Sequence, residues 1–333
     1  FLTDTSKLIF DREALLGVSI TGWMNNPDIL FDENILEKGA KIVKEVNREV
    51  AQIIGINAAA RTTCVKPSGN ASVLLQTASG IHAEHSNMYI RNVQMNKESE
   101  ITQAIMKTNP YMVEDSVWSA GGTDVVVSFP ILPKKGSMYK DDLLGVKHLE
   151  LVKKAQKHWV EAGTNEDLCA DKGVRHNVSN TIIVDDWDEV EKYVFENRHS
   201  FAGISFLAMS GDKDYNQAPN TAVITAKDMV KKYGNAAVFA SGMVVDALKC
   251  FNNLWDACST AKGFGEDLSL ESSENAMKRD WIRRFGKFAD NYLDSDTILA
   301  EHCLKDAYLL HKWNKIQSTL KTVDWKEDIK ERK

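Results

Sequence analysis

Cysteine is scarce in this chain of 333 residues. There are five, Cys64, Cys169, Cys250, Cys258 and Cys303, and no two form a Cys-x-x-Cys. An odd number without such a pair argues against a disulfide framework and points to a reduced, cytoplasmic protein. Long apolar runs are missing too. None approaches the roughly 20 residues that a membrane span requires, and no basic stretch followed by an apolar one opens the chain. Positive charge is not in excess, since 41 Lys and Arg face 47 Asp and Glu for a formal net charge of −6. That balance argues against a general nucleic-acid binder. It leaves a nucleotide open, because phosphates need only local donors. No His, Cys and Asp cluster has metal-ligand spacing, and no low-complexity segment or internal repeat interrupts the sequence.

The residues present are most informative at Arg61-Thr-Thr-Cys-Val-Lys-Pro-Ser-Gly-Asn-Ala-Ser72, followed by Ser79-Gly-Ile-His82. A β-prone run at 60–65 meets Pro67, which disfavours helix in the residue before it. Ser68, Gly69 and Asn70 then offer helix caps, and 71–76 can open a helix. Strand, tight turn and helix start together present backbone N–H groups to an anion. Pro67, Ser68, Gly69, Asn70, Ala71 and Ser72 therefore read as a phosphate cradle, with Lys66 as a local cation. Taken alone, such a turn is more often simply a cap. It is not a Walker loop, since the second glycine and the Gly-Lys-Ser/Thr ending are missing.

Hydrophobic periodicity predicts an amphipathic helix over 32–54, with Ile35, Leu36, Ile42, Val43, Val46, Val50 and Ile53 on one face. It also predicts helices over 98–107, 141–161 and 186–197. Strands are expected at 60–65, 89–95, 124–131, 178–184 and 203–209. About five strands alternating with helices is the pattern of a parallel α/β sheet. Strand signals stop after Gln217-Ala-Pro219, and 227–333 reads as nearly all helical. A boundary near 225 divides an α/β domain, 1–225, from a helical extension, 226–333. Cys250 and Cys258 share one helical pattern and read, like Cys64 and Cys303, as core residues. Asp141-Asp142 and Asp185-Asp186 read as helix caps.

The run Cys64-Val-Lys-Pro-Ser-Gly-Asn-Ala-Ser72 with Ser79-Gly-Ile-His-Ala83 resembles the catalytic subunit of ribonucleotide reductases, most closely the adenosylcobalamin-dependent branch. Leu16-Gly-Val-Ser-Ile-Thr-Gly22, Trp159, His176-Asn-Val-Ser-Asn-Thr-Ile-Ile183, Trp187-Asp-Glu-Val190, Gly203-Ile-Ser-Phe-Leu207 and Gln217-Ala-Pro219 extend the resemblance in the family's order. The resemblance implies half of a ten-stranded α/β barrel plus a helical C-terminal region. It implies that the 67–72 turn holds a substrate phosphate, and that Gly80, His82, His176 and Asn177 stand near substrate or cofactor.

The family's radical chemistry uses an Asn-Pro-Cys-Gly-Glu loop, and no cysteine here is followed by Gly-Glu. The resemblance therefore implies no catalytic residue within this chain, with the thiyl cysteine supplied upstream. The chain reads as a C-terminal portion whose partner is the missing N-terminal half, or a second copy of itself. By the resemblance, Ser205 and Phe206 stand where the di-iron branch carries two relay tyrosines, and the glycyl-radical ending is missing. Adenosylcobalamin is the radical source this implies. Two other readings stay open: a non-catalytic nucleotide- or phosphate-binding module, and an interaction subunit.

Overall fold

Strand Val18–Ser19 lies parallel to Thr63–Cys64 in the computed structural model, which describes residues 1–209, 215–263 and 273–324. Val65 continues the pairing through a parallel bridge to Val178, and Ile182–Val184 runs parallel to Phe206–Ala208. The connections carry helices Glu33–Ile54, Gly145–Ala155 and Trp187–Glu196. Parallel neighbours require such crossovers, so this part follows the expected strand–helix–strand pattern. These elements belong to a unit formed by Phe1–Asn87 and Pro133–Gly211. Its core holds Trp23, Met24, Leu36, Ile81, Leu149, Trp159 and Ile182.

Helix Glu33–Ile54 is punctuated as its sequence dictates. The Asp32 carboxylate accepts the Ile35 N–H at 3.0 Å, and Gly55 ends the helix at φ 73°. Its buried face differs from expectation. Leu36 and Ala40 are inside, while Ile35, Ile42, Val46, Val50 and Ile53 are exposed. The cause is a close approach at small residues, where a Cβ on Gly39 would stand 3.3 Å from the Trp159 ring. The helix expected over 141–161 begins only at Gly145 and widens into a π turn at Gln156–Glu161. Leu143 and Leu144 are non-helical, which lets Leu143 enter the core at 2% exposure. Asp141 and Asp142 consequently sit in a separate 3-10 turn and do not cap this helix. Asp186 does cap Trp187–Glu196, accepting from the N–H groups of Asp188 and Glu189.

A second unit, Met88–Leu132 with Asp212–Lys333, corrects two expectations. Tyr89–Asn96 and Asp124–Ile131, expected in the parallel sheet, pair antiparallel from Tyr89↔Ile131 to Asn96↔Asp124. Val113–Asp115 and Asn220–Ala222 flank them, also antiparallel. A β-branched run signals a strand but not the direction of its neighbour. No ten-stranded barrel is formed by the described residues, whose sheets have two, four and two strands. The helical run does start at Ala226, capped by Thr225, but its unit also includes the 88–132 strands, so 225 is not a linear boundary.

Helices Ala236–Cys250, Leu254–Lys262, Ser273–Tyr292 and Thr297–Thr319 follow, packing around Trp281, Phe285, Val244 and Leu304. Cys250 and Cys258 lie on different helices, because Phe251 is extended and Asn253 caps a new one. No helix among the described residues is long and apolar enough to cross a membrane.

Candidate functional site

Parallel sheets bind ligands beyond the carboxyl ends of their strands. In the first unit, Ser19, Thr21 and the 66–72 turn occupy that position for the Val18–Ser19 and Thr63–Cys64 strands. The Lys66 N–H donates to Ser19 Oγ at 2.9 Å, and its Nζ donates to Ser179 Oγ at 2.9 Å. Thr21 Oγ1 and Ser68 Oγ share a 2.7 Å hydrogen bond. Five hydroxyls therefore line this turn in two hydrogen-bonded sets, Ser19 and Ser179 through Lys66, and Thr21 and Ser79 through Ser68.

The turn itself is shaped by two glycines. Gly69 has φ 52° and ψ −127°, and a Cβ there would meet nothing within 4 Å. Gly80 has φ 55°, and a Cβ would lie 2.9 Å from the Lys66 carbonyl oxygen. Only glycine permits that approach. Buried Asn25 holds the segment leading into Gly80: its Oδ1 accepts from Thr77 Oγ1 at 2.7 Å and from the Ala78 N–H at 2.6 Å. Thr21 completes the clamp by accepting the Gly80 N–H at 2.8 Å.

The cradle's N–H groups are not all idle, as a bare helix start would have them. Ser68 and Gly69 both donate to Ser79 Oγ, at 3.1 and 3.3 Å. Ala71 and Ser72 close turns onto the carbonyls of Ser68 and Gly69. The helix that follows, Asn70–Leu74, has five residues, so its dipole is small. Lys66, Pro67, Gly69 and Ala71 are exposed, whereas Ser72 is buried. Ser79 Oγ thus holds a place between two consecutive N–H groups that suits an anion's oxygen, and one side-chain rotation would vacate it.

His82 lies beside these groups, its Nδ1 at 3.0 Å from the Ser79 carbonyl. Burial pushes its pKa down and nearby Lys140 adds to that, against the opposing effect of the Ser79 hydrogen bond. Buried His148 approaches the Ile81 carbonyl at 3.1 Å and is lowered to about 4, chiefly by desolvation. His176 and Asn177 lie in the extended segment that leads into the Val178 bridge. His176 Nδ1 is 3.1 Å from the Thr63 carbonyl, and burial lowers its pKa. Asn177 accepts the Val65 N–H through its backbone, while its Oδ1 is buried without a hydrogen-bond partner.

The structure therefore gathers Pro67, Ser68, Gly69, Asn70, Ala71, Ser72, Gly80 and His82 at one corner, with His176 and Asn177 along the neighbouring segment. Sequence reading missed Ser19, Thr21, Ser179 and His148. Ser19, Thr21 and Ser179 lay within noted motifs, but lone hydroxyls carry no spacing signal. All five cysteines are free. Burial raises the pKa of Cys64 and Cys169 and takes Cys258 and Cys303 to about 12, as core thiols should behave.

No protein-family model matches the chain. It is 28% identical over 163 residues to a Dictyostelium discoideum protein named a probable adenosylcobalamin-dependent ribonucleoside-triphosphate reductase, covering 47% of this chain and 21% of that one. It is 24% identical over 224 residues to an adenosylcobalamin-dependent ribonucleoside-triphosphate reductase of Euglena gracilis, covering 66% of this chain and 28% of that one. The crystal structure of a B12-dependent, class II ribonucleotide reductase shares its fold at a TM-score of 0.56 and 17% identity, over 69% of this chain and 34% of the other. The chain thus spans between a fifth and a third of the relatives it matches. Over that shared stretch it is similar to proteins named adenosylcobalamin-dependent ribonucleoside-triphosphate reductases.

Proposed function

We propose that this chain is a C-terminal portion of an adenosylcobalamin-dependent ribonucleotide reductase, contributing one half of an α/β barrel, a helical C-terminal region and the seat for a substrate phosphate. One observation carries the reading. Lys66, five hydroxyls and the paired N–H groups of Ser68 and Gly69 converge at the strand ends, on residues that resemble the family's phosphate turn.

A phosphate oxygen would replace Ser79 Oγ on the two N–H groups, and Ser79, turned aside, would donate its own hydrogen to the anion. Lys66 would leave Ser179 to neutralise charge. His82 and His176, kept neutral by burial, would contribute hydrogen bonds rather than charge. Pro67 and Gly80 shape the turn around the ligand.

Four of the five thiols are buried in the core, and none is followed by Gly-Glu as in the family's radical loop. The thiyl cysteine belongs to the N-terminal half, which is the partner. The exposed stripe of Ile35, Ile42, Val46, Val50 and Ile53 supports a chain that works against another surface. Adenosylcobalamin supplies the radical when bound. The cofactor is assigned to the assembled enzyme, in a reducing, cytoplasmic setting.

The test combines the purified chain with an N-terminal portion carrying the cysteine loop, a ribonucleoside triphosphate, a dithiol and adenosylcobalamin. Deoxyribonucleotide should form only in the mixture and only with that cofactor. Product from the chain alone, or from the mixture with a di-iron radical subunit in place of adenosylcobalamin, would contradict the reading.

A further inference from the structure

The second unit holds a cavity of about 310 Å³, lined by Asn92, Gln94, Trp118, Val126, Tyr215, Gln217 and Pro219. That volume is at the lower end of small-molecule sites. Its floor is the antiparallel pair. Asn92 and Gln94, two residues apart, share one face of their strand, and Val126 stands opposite Gln94 in register. Its walls are two loop segments stitched together. The Trp118 Nε1–H donates to the Asn216 carbonyl at 3.1 Å, and the Val117 N–H donates to Gln217 Oε1 at 2.9 Å. Gln217 Nε2 returns a bond to the Asp115 carbonyl at 2.7 Å.

Three features set this place apart from ordinary surface. Trp118 and Tyr215 meet edge to face at 6.0 Å, yet are 61% and 48% exposed. Leaving two large aromatic rings in water forgoes much of what their burial would contribute. Gln217 is held at φ 58°, a left-handed conformation that costs a side-chain-bearing residue energy and clusters at ligand sites. The carboxamides are also fixed. Asn92 Nδ2 donates to the Ala218 carbonyl at 2.8 Å while its Oδ1 accepts from Ser128 at 2.8 Å. Gln94 Nε2 donates to Asp124 Oδ2 at 2.8 Å, which fixes the amide while its Oε1 can still accept.

No charged side chain among the described residues lines the cavity. A phosphate or carboxylate would find no counter-charge there. Ring faces for stacking and pre-positioned amides for in-plane hydrogen bonds match a flat, neutral heterocycle. We propose that this cavity recognises a nucleobase, stacked on Trp118 and read at its edge by Gln94 and Asn92, as a free nucleoside or the base end of a larger ligand. The site is built wholly from the second unit and does not depend on the phosphate seat.

The test titrates the full chain by calorimetry with adenosine, guanosine, cytidine and uridine, and with methyl glucoside as a neutral ring that also stacks on tryptophan. At least one nucleoside should bind saturably with a Kd of about 1 mM, the affinity that one stacked base together with edge hydrogen bonds can supply. Trp118→Ala should weaken it at least tenfold, Trp118→Phe should retain most of it, and Gln94→Ala should alter the ranking among bases. Circular dichroism melts confirm that each variant is folded. Absence of saturable binding by all four nucleosides, binding indifferent to Trp118→Ala, or preference for methyl glucoside would each overturn the assignment.

Discussion

The two units use β-structure for opposite ends. In the first, short parallel segments bring loop-borne hydroxyls, Lys66 and two glycines to their carboxyl ends. In the second, an eight-residue antiparallel register forms a continuous surface backed by helices. Chemistry in the first sits where strands stop, so it depends on turn geometry. The cavity in the second sits on the sheet face, so it depends on which residues share a side. Damage to each should therefore read out differently.

The largest expected effect is in the second unit's core. Trp281 is fully buried, and its Nε1–H donates to the Met243 carbonyl at 3.1 Å. Trp281→Ala should cost about 3–5 kcal/mol, read from urea unfolding. Phosphate binding by the remaining folded protein should be unchanged. Loss of both together would mean that the two units do not fail separately.

Acid should act next, through the first unit. His148 is lowered to about 4 in the folded chain against an ordinary value of 6.5. Burial favours its neutral form, so the unfolded chain binds more protons between those values. Its contribution is fully present above pH 6.5 and is lost as pH falls toward 4, by about 3 kcal/mol. Stability of His148→Gln should fall less over the same window. An identical pH slope in the variant would show that other groups carry the effect.

The two glycines sharpen the account of the turn. Gly80→Ala combines positive φ with a clash against the Lys66 carbonyl and should cost about 2–3 kcal/mol. Gly69→Val meets no neighbour, but φ 52° with ψ −127° is a conformation essentially reserved for glycine, so backbone strain alone should cost about 1–3 kcal/mol. Chemical denaturation should show both losses, while phosphate binding should be abolished by both.

How much of this was legible in the sequence follows the same divide. The 67–72 turn was readable because Pro67 fixes its own φ while Gly69 admits the positive φ that the turn requires. The Asp186 cap was readable because a short carboxylate before a helical run accepts its first N–H groups. Partner direction was not, and the run at 124–131 looked like a parallel strand until its register with 89–96 was known. The buried face of helix Glu33–Ile54 was misjudged because small residues, Gly39 and Ala40, decide the approach while the larger Ile35 and Ile42 give the stronger periodic signal. Ser19, Thr21 and Ser179 joined the site only through tertiary placement, which no spacing encodes.

The smallest perturbation is also the most direct. Lys66 is exposed, so Lys66→Met should change stability by less than about 0.5 kcal/mol. It should weaken anion binding by roughly ten- to a hundredfold, the worth of one charge-assisted hydrogen bond. The decisive measurement follows backbone amide resonances of the full chain while inorganic phosphate is added. The Ser68 and Gly69 amides should shift saturably as phosphate displaces Ser79 Oγ, and that shift should vanish in Lys66→Met. Amides of Ser68 and Gly69 that stay fixed while phosphate moves others, or that respond equally in the variant, would contradict a phosphate seat at the strand ends.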